Sequence, residues 1–249
     1  MTLLAVERIK LFSTRSPWWC ALIAVVVTVG LSALVAGTID DPGGISVGST
    51  QFGYNFGMPV VMVLAALAVT TEYRFGTMRT TFQAIPNRAA ALGAKAVVVA
   101  LVGLVIGLVS AFGSLAVSQL LQPDADLSLS SAAEWTNVAG IGPVYALAAV
   151  LAIGVGVLLR HSAGAIALLM IYTLAVESLM PIIPKIGDSI YQWMPFNVVN
   201  KFITGDNPPQ AGPPASTSTL SPTMALIYFA AWAVAVFAIA IVVTKRRDA

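Results

Sequence analysis

The chain has 249 residues, of which 58% are hydrophobic and only 10% charged, with a net charge of +2. A soluble domain carries roughly 25% charged residues, so this chain cannot cover a globular surface, and its apolar content excludes disorder. A single cysteine, Cys20, excludes a disulfide scaffold. What remains is a polytopic helical membrane protein.

Residues 1–16 form a candidate helix. At about 100° per residue, Ala5, Val6, Ile9 and Phe12 share a broad face, with Glu7, Lys10 and Thr14 opposite. An interfacial helix along the cytoplasmic leaflet, its arginines reaching headgroups, fits this pattern. A basic flank that only fixes orientation is the alternative. A helix crossing the ~30 Å hydrocarbon core needs about 20 mostly apolar residues, and six segments qualify: 18–37, 55–71, 91–121, 138–159, 163–181 and 224–244. The first is too long for the roughly 7–15-residue core of a secretion signal and lacks a cleavage site, so it reads as a retained helix. The third is long enough to tilt or project beyond the core. Continuous apolar runs exclude barrel strands.

Between spans 2 and 3, residues 72–90 form a cytoplasmic segment. Phe75, Met78, Phe82 and Ile85 are spaced to share one arc of a helix that Pro86 ends, with threonines and Arg79 on the other face. Such a helix lies on lipid or inserts its apolar ridge into a partner's groove. Its low basic charge favours the partner. After span 5, Pro181 and Pro184 break the helix, and residues 185–203 read as two short pieces divided at Pro195. They fit a re-entrant helical hairpin buried against protein, or an aromatic-anchored surface loop around Tyr191, Trp193, Phe196 and Phe202. Residues 205–222, with Pro208, Pro209, Pro213, Pro214 and Pro222, read as a mobile extracellular loop.

Eleven of the thirteen basic residues fall on one side of this arrangement: Arg8, Lys10, Arg15, Arg74, Arg79, Arg88, Lys95, Arg160, Lys245, Arg246 and Arg247. Only Lys185 and Lys201 lie opposite, with the acids Asp40, Asp41, Asp124, Asp126, Glu134, Asp188 and Asp206. The positive-inside rule places both termini in the cytoplasm. The expected fold is all-α, with six transmembrane helices in a single domain.

No catalytic constellation emerges. His161 and Cys20 are the only residues of their types, so no zinc set or Cys/His pair is available. No lysine follows a glycine, which excludes a phosphate-binding loop. Any ATP hydrolysis, with its magnesium, belongs to another chain. Glu177 is the one ionisable group expected inside an apolar run, with Tyr172 near it and Thr173 one turn away on its face. It reads either as part of a substrate path or gate, or as a structural carboxylate near Pro181. Gly53 with Gly57, and Gly103, Gly107 and Ala111, form small-residue stripes that permit close helix contact, within the chain or with a second subunit.

Two local motifs carry a resemblance: Glu72-x-Arg74-x-Gly76-Thr77 followed by Pro86-x-Arg88 and Lys95, and Glu7-Arg8-x-Lys10 in the N-terminal helix. With six spans and internal termini, the chain resembles a permease subunit of ABC-2 type ABC transporters, of the actinobacterial kind. The resemblance implies that the segment matching 74–86 is a coupling helix docking on an ATPase subunit, through Glu72, Arg74, Phe75, Gly76, Thr77, Met78, Arg79, Phe82, Ile85 and Arg88. It implies two permeases, identical or paralogous, with two ATPases and a substrate path between the permeases. It also implies re-entrant helices at 185–203 that gate the outer exit, with Glu177, Thr173, Tyr172, Trp193 and Phe196 as path or gate residues. The expected activity is export of an amphiphile (a drug, lipid or peptide) across the cytoplasmic membrane, with ATP hydrolysed in trans. The expected partners are the ATPase, the second permease and membrane lipids, with no nucleic acid. A proton-coupled transporter using Glu177 and a non-transporting anchor or immunity protein are the competing functions.

Overall fold

The computed structural model describes residues 3–39, 44–85, 87–205 and 212–247. Asp40, Asp41, Pro86, Asp206, Pro208 and Pro209 lie outside the described residues. Every regular element among those described is helical. In chain order they are α1 (Leu3–Phe12), α2 (Ser16–Thr38), α3 (Tyr54–Arg74), α4 (Thr77–Ala84), α5 (Arg88–Leu121), α6 (Ala132–Ala139), α7 (Ile141–Leu159), α8 (Ser162–Ile171), α9 (Glu177–Leu179), α10 (Gly187–Tyr191), α11 (Pro195–Thr204) and α12 (Pro222–Arg247). Among the described residues six helical stretches are long and apolar enough to cross a membrane, and the chain is an all-α polytopic membrane protein.

Local chemistry sets the boundaries. α5 starts where Asn87 caps it, the side chain accepting the Ala90 N–H at 3.1 Å. Its 34 residues extend about 51 Å at 1.5 Å per residue, well beyond a ~30 Å core. The fourth span begins earlier than hydropathy suggests and is interrupted. A capping box at Ser131 and Glu134 starts α6, and a break at Gly140 separates it from α7. The lone histidine is also a cap: His161 Nδ1 accepts the Gly164 N–H at 3.0 Å and starts the fifth span. That span is irregular, passing from α8 through a π turn at Tyr172–Val176 into α9 and a 3₁₀ turn at Met180–Ile182. The Thr173 hydroxyl donates back to Leu169 O at 2.8 Å, a side-chain competitor for the backbone ladder that bends helices.

α7 sits at the centre, packed on α5, α3 and α12. The third and fourth spans meet through the small-residue stripe of α5. A Cβ on Gly103 would sit 3.0 Å from Tyr145 O, and one on Gly107 2.9 Å from Ile141 O. Gly53 and Gly57 in turn press against Thr28 of α2. Both stripes are therefore used inside the chain, where close backbone approach supplies the dispersion that lipid does not.

Between the first two spans, a 3₁₀ turn at Ser49–Gln51 packs into the bundle. Ser49, Thr50 and Gln51 are buried between α2 and α5, with the Gly53 N–H donating to Ser32 Oγ at 3.1 Å and Gln51 Nε2 to Ala111 O at 3.2 Å. In α1, Ile9 and Phe12 are exposed as an interfacial helix requires, but Glu7 turns inward and is buried with Leu11. Part of the proline-rich loop is anchored rather than free: Ser216 Oγ donates to Asn197 O at 2.7 Å, and Ser218 is buried.

Candidate functional site

Two polar assemblies stand out, one at each end of the bundle. At the first, α1, α3 and α5 bring four charges together. Lys95, two turns inside α5, pairs with Glu72 Oε1 at 2.8 Å and with Glu7 Oε2. Lys10 pairs with Glu7 Oε1 at 3.0 Å and approaches Glu72 Oε1 at 3.6 Å. Lys95 and Glu7 are 5% and 4% exposed, so neither charge is solvated and each depends on its partners. This corrects the expectation that Glu177 alone is an ionisable group buried among the spans. Lys95 looks like a loop-side cation in sequence because only six residues separate it from Arg88, yet α5 begins at Arg88 and carries it inside.

The cluster reaches α4 directly: Lys10 Nζ donates to Thr81 Oγ1 at 3.0 Å. α3 joins α4 through Gly76, whose φ of +74° is the left-handed conformation glycine tolerates without Cβ strain. The expected apolar ridge is divided by this turn. Phe75 lies outside the helix and is 72% exposed, while Met78 is 3% exposed and points into the protein. Phe82 is half-buried against the core, and Ile85 is the C-cap. The ridge therefore holds α4 to its own chain and does not form a free insertion surface. The outward side of this segment is instead Arg74, Phe75, Thr77, Arg79, Thr80 and Gln83. Cation–π contacts pair Arg74 with Phe75 at 5.5 Å, Arg88 with Phe82 at 5.6 Å and Arg160 with Tyr73 at 5.1 Å. Beside α4, Arg79, Arg88 and Arg160 line a groove of about 480 Å³ with Tyr73 and Phe82.

At the opposite end, Glu177 is 4% exposed. Its Oε1 accepts the Phe196 N–H at 3.1 Å and its Oε2 the Asn197 N–H at 2.8 Å. These amides open α11, whose first residue is Pro195, so a carboxylate nineteen residues away in sequence caps the helix and meets its positive end. Tyr172 stacks edge-on to Phe196 at 5.9 Å, and Phe196 on Phe229 at 5.6 Å. Glu177, Tyr172 and Phe196 are thus brought together. Thr173 and Trp193 are not part of this group. The π turn shifts the register after Thr173, whose hydroxyl is spent on Leu169 O and Met170 O. Trp193 is 48% exposed and packs on Tyr228, which donates to its carbonyl at 2.8 Å.

Sequence reasoning missed Asn197. Its Nδ2 donates to Tyr191 O at 2.8 Å and Thr217 Oγ1 at 3.1 Å, tying α10, α11 and the outer loop into one unit. It missed as well a buried chain from α2 to α11. Thr28 and Tyr145 hydroxyls lie 3.2 Å apart, Tyr145 donates to Tyr54 O at 2.9 Å, and Tyr54 donates to Asn200. Asn197 and Asn200, spaced i, i+3 in α11, were the available signal. Among the described residues no group of three or more His, Cys, Asp or Glu side chains is placed to hold a metal ion.

No curated protein matches the chain. A family model described as ABC-2 family transporter protein matches residues 3–176. The match takes in α1, the buried charge cluster, α4 and the first four spans, and it ends one residue before Glu177. The chain belongs to the ABC-2 family of transporter proteins.

Proposed function

We propose that the chain is the membrane-spanning permease of an exporter whose ATP is hydrolysed, with magnesium, by a separate nucleotide-binding subunit, and that it moves an amphiphile. Two permeases, identical or paralogous, would flank the path. The observation that carries this reading is α4 itself, a short helix with an outward polar face whose inner side is fastened to three other helices. Met78 and Phe82 anchor it in the core, Lys10 bonds to Thr81, and Gly76 joins it to the end of α3. A push on α4 therefore moves α1, α3 and α5, as a coupling helix requires. On this reading Phe75, Arg79, Thr80 and Gln83 face the ATPase, while Glu72, Met78 and Phe82 transmit its motion.

At the other end, the α10–α11 pair acts as the outer gate, with Glu177 as the tie that holds it to the fifth span. Both oxygens of Glu177 are engaged by backbone amides, which supports a structural latch over a proton carrier.

The test is co-purification from a mild-detergent extract, with ATPase assay of the complex. Wild-type chain is expected to bring down a stoichiometric ATPase, and Arg79→Glu with Phe75→Asp to lose it while keeping the melting temperature. Unchanged recovery of the ATPase by that double variant would sink the docking assignment.

A further inference from the structure

The groove of about 480 Å³ beside α4 draws its three cations from three separate elements. Arg79 comes from α4, Arg88 is the first residue of α5, and Arg160 is the C-cap of α7. Among the described residues that line it none is acidic. The carboxylates of Glu7 and Glu72, at this same end of the bundle, serve Lys10 and Lys95. Arg88 rests on the Phe82 ring and Arg160 on the Tyr73 ring, so two of the three side chains are positioned before a ligand arrives. A guanidinium carries five N–H donors in a planar fork, and the Arg88 bond to Thr244 O takes one of them. Such forks match the paired oxygens of a phosphate.

The place of the groove selects the kind of phosphate. α3 ends at Arg74, α5 starts at Arg88 and α7 ends at Leu159, so the walls are span ends, at the level of lipid head groups. Exposed apolar side chains adjoin it: Leu159 directly precedes Arg160, and Val242 lies two residues before Thr244. Charge bias assigns this end to the cytoplasm, whose leaflet carries anionic lipid, and basic pockets between spans on that side suit acidic head groups.

We propose that the groove between α4 and the ends of α5 and α7 binds the head group of an anionic phospholipid. The phosphate accepts from Arg79, Arg88 and Arg160, and the acyl chains lie along the adjoining lipid-facing surface. A zwitterionic lipid brings a cation of its own toward three guanidinium groups and is disfavoured. An acidic peptide would meet the same charges but makes no use of the apolar surface at Leu159 and Val242. Occupation ties α4 to α5 and α7 through one ligand. The proposal goes beyond the permease reading and does not depend on it.

The experiment measures saturable binding of radiolabelled phosphatidylglycerol to the purified, delipidated chain immobilised in dodecyl maltoside. Phosphatidylcholine, inorganic phosphate and hexaglutamate serve as competitors. Phosphatidylcholine has the same phosphate and tails, and its added cation is expected to make it compete about tenfold less well than unlabelled phosphatidylglycerol. Neither inorganic phosphate nor hexaglutamate is expected to displace the lipid. Arg79→Gln with Arg160→Gln is expected to weaken binding by about tenfold or more, the worth of the charge-assisted hydrogen bonds removed. Arg8→Gln with Arg15→Gln removes the same charge from exposed positions of the N-terminal segment outside the groove, and is expected to change binding by no more than about twofold, since exposed charges are screened. Gln83→Glu puts a carboxylate into the lining at an exposed position and is expected to weaken binding severalfold. Equal competition by phosphatidylcholine, or equal weakening by the two arginine pairs, would overturn the proposal. Displacement by inorganic phosphate would make this a free-phosphate site, and displacement by hexaglutamate a groove for an acidic peptide, and either would overturn it too. Should Arg79→Gln with Arg160→Gln fail to fold, undiminished binding to Gln83→Glu would refute the site. No arm contains an ATPase, so failure here leaves the ATP-driven reading standing, and loss of ATPase co-purification leaves the lipid result intact.

Discussion

Lys95, Glu7 and Glu72 show how much one buried charge depends on others brought in from distant sequence. Lys95 lies 88 residues from Glu7 and 23 from Glu72. Removing this cation leaves two carboxylates away from water to share the half-buried Lys10, and breaking a buried pair in this way costs about 3–5 kcal/mol. Lys95→Met is therefore expected to unfold the chain at a clearly lower temperature in detergent, and adding Glu7→Gln is expected to restore part of the loss. A double variant no better than the single one would show that the cluster is not coupled. Glu177 makes a different kind of contribution, since its partners are two backbone amides at a helix start. Glu177→Ala leaves those donors unsatisfied at a cost of about 1–3 kcal/mol, and the damage should be local. Hydrogen exchange at residues 196–200 is expected to quicken while α5 and α7 stay protected; uniform quickening would instead make Glu177 a determinant of the whole fold.

Among the elements, α4 and α6 are both eight residues long, too short to be stable alone, and each is held by a different means. α4 is held by tertiary contacts, Met78 in the core and Lys10 on Thr81. α6 depends on its cap: the Glu134 carboxylate accepts the Ser130 and Ser131 N–H groups, both at 2.7 Å. Glu134→Ala removes that acceptor and is expected to fray the start of α6, with Trp135 fluorescence as a local reporter. Unchanged Trp135 emission in that variant would show that packing, and not the cap, holds α6.

On the scale of the whole molecule, the six spans were legible because lipid demands long apolar runs, and no tertiary contact had to be known to see them. The α4 segment was legible as an amphipathic helix, but the role of its apolar side was not. Periodicity says that Met78 and Phe82 share a face and is silent on whether that face meets the same chain or another. The charge cluster and the Glu177 cap were hidden for a related reason: their partners come from helices whose adjacency no local pattern encodes. That both termini lie at one end of the bundle, by contrast, has two independent arguments. Charge bias puts both termini on one side, and geometry joins them at one end, since Lys10 of α1 bonds to Thr81 of α4 and Arg88 Nη1 of α5 donates to Thr244 O near the end of α12 at 3.4 Å. Exposed Arg8, Arg15, Arg79, Lys245 and Arg246 cluster there, whereas Asp124, Asp126 and Ser128 lie past the far end of α5. Single cysteines in a Cys20→Ala background read this directly. Thr80→Cys is expected to react with an impermeant maleimide only in inside-out vesicles, and Ser128→Cys only in right-side-out ones. Labelling of both from the same side would contradict the bundle geometry, while a clean reversal would keep the geometry and overturn the assignment of α4 to the cytoplasm, and with it any docking of an ATPase at Arg79.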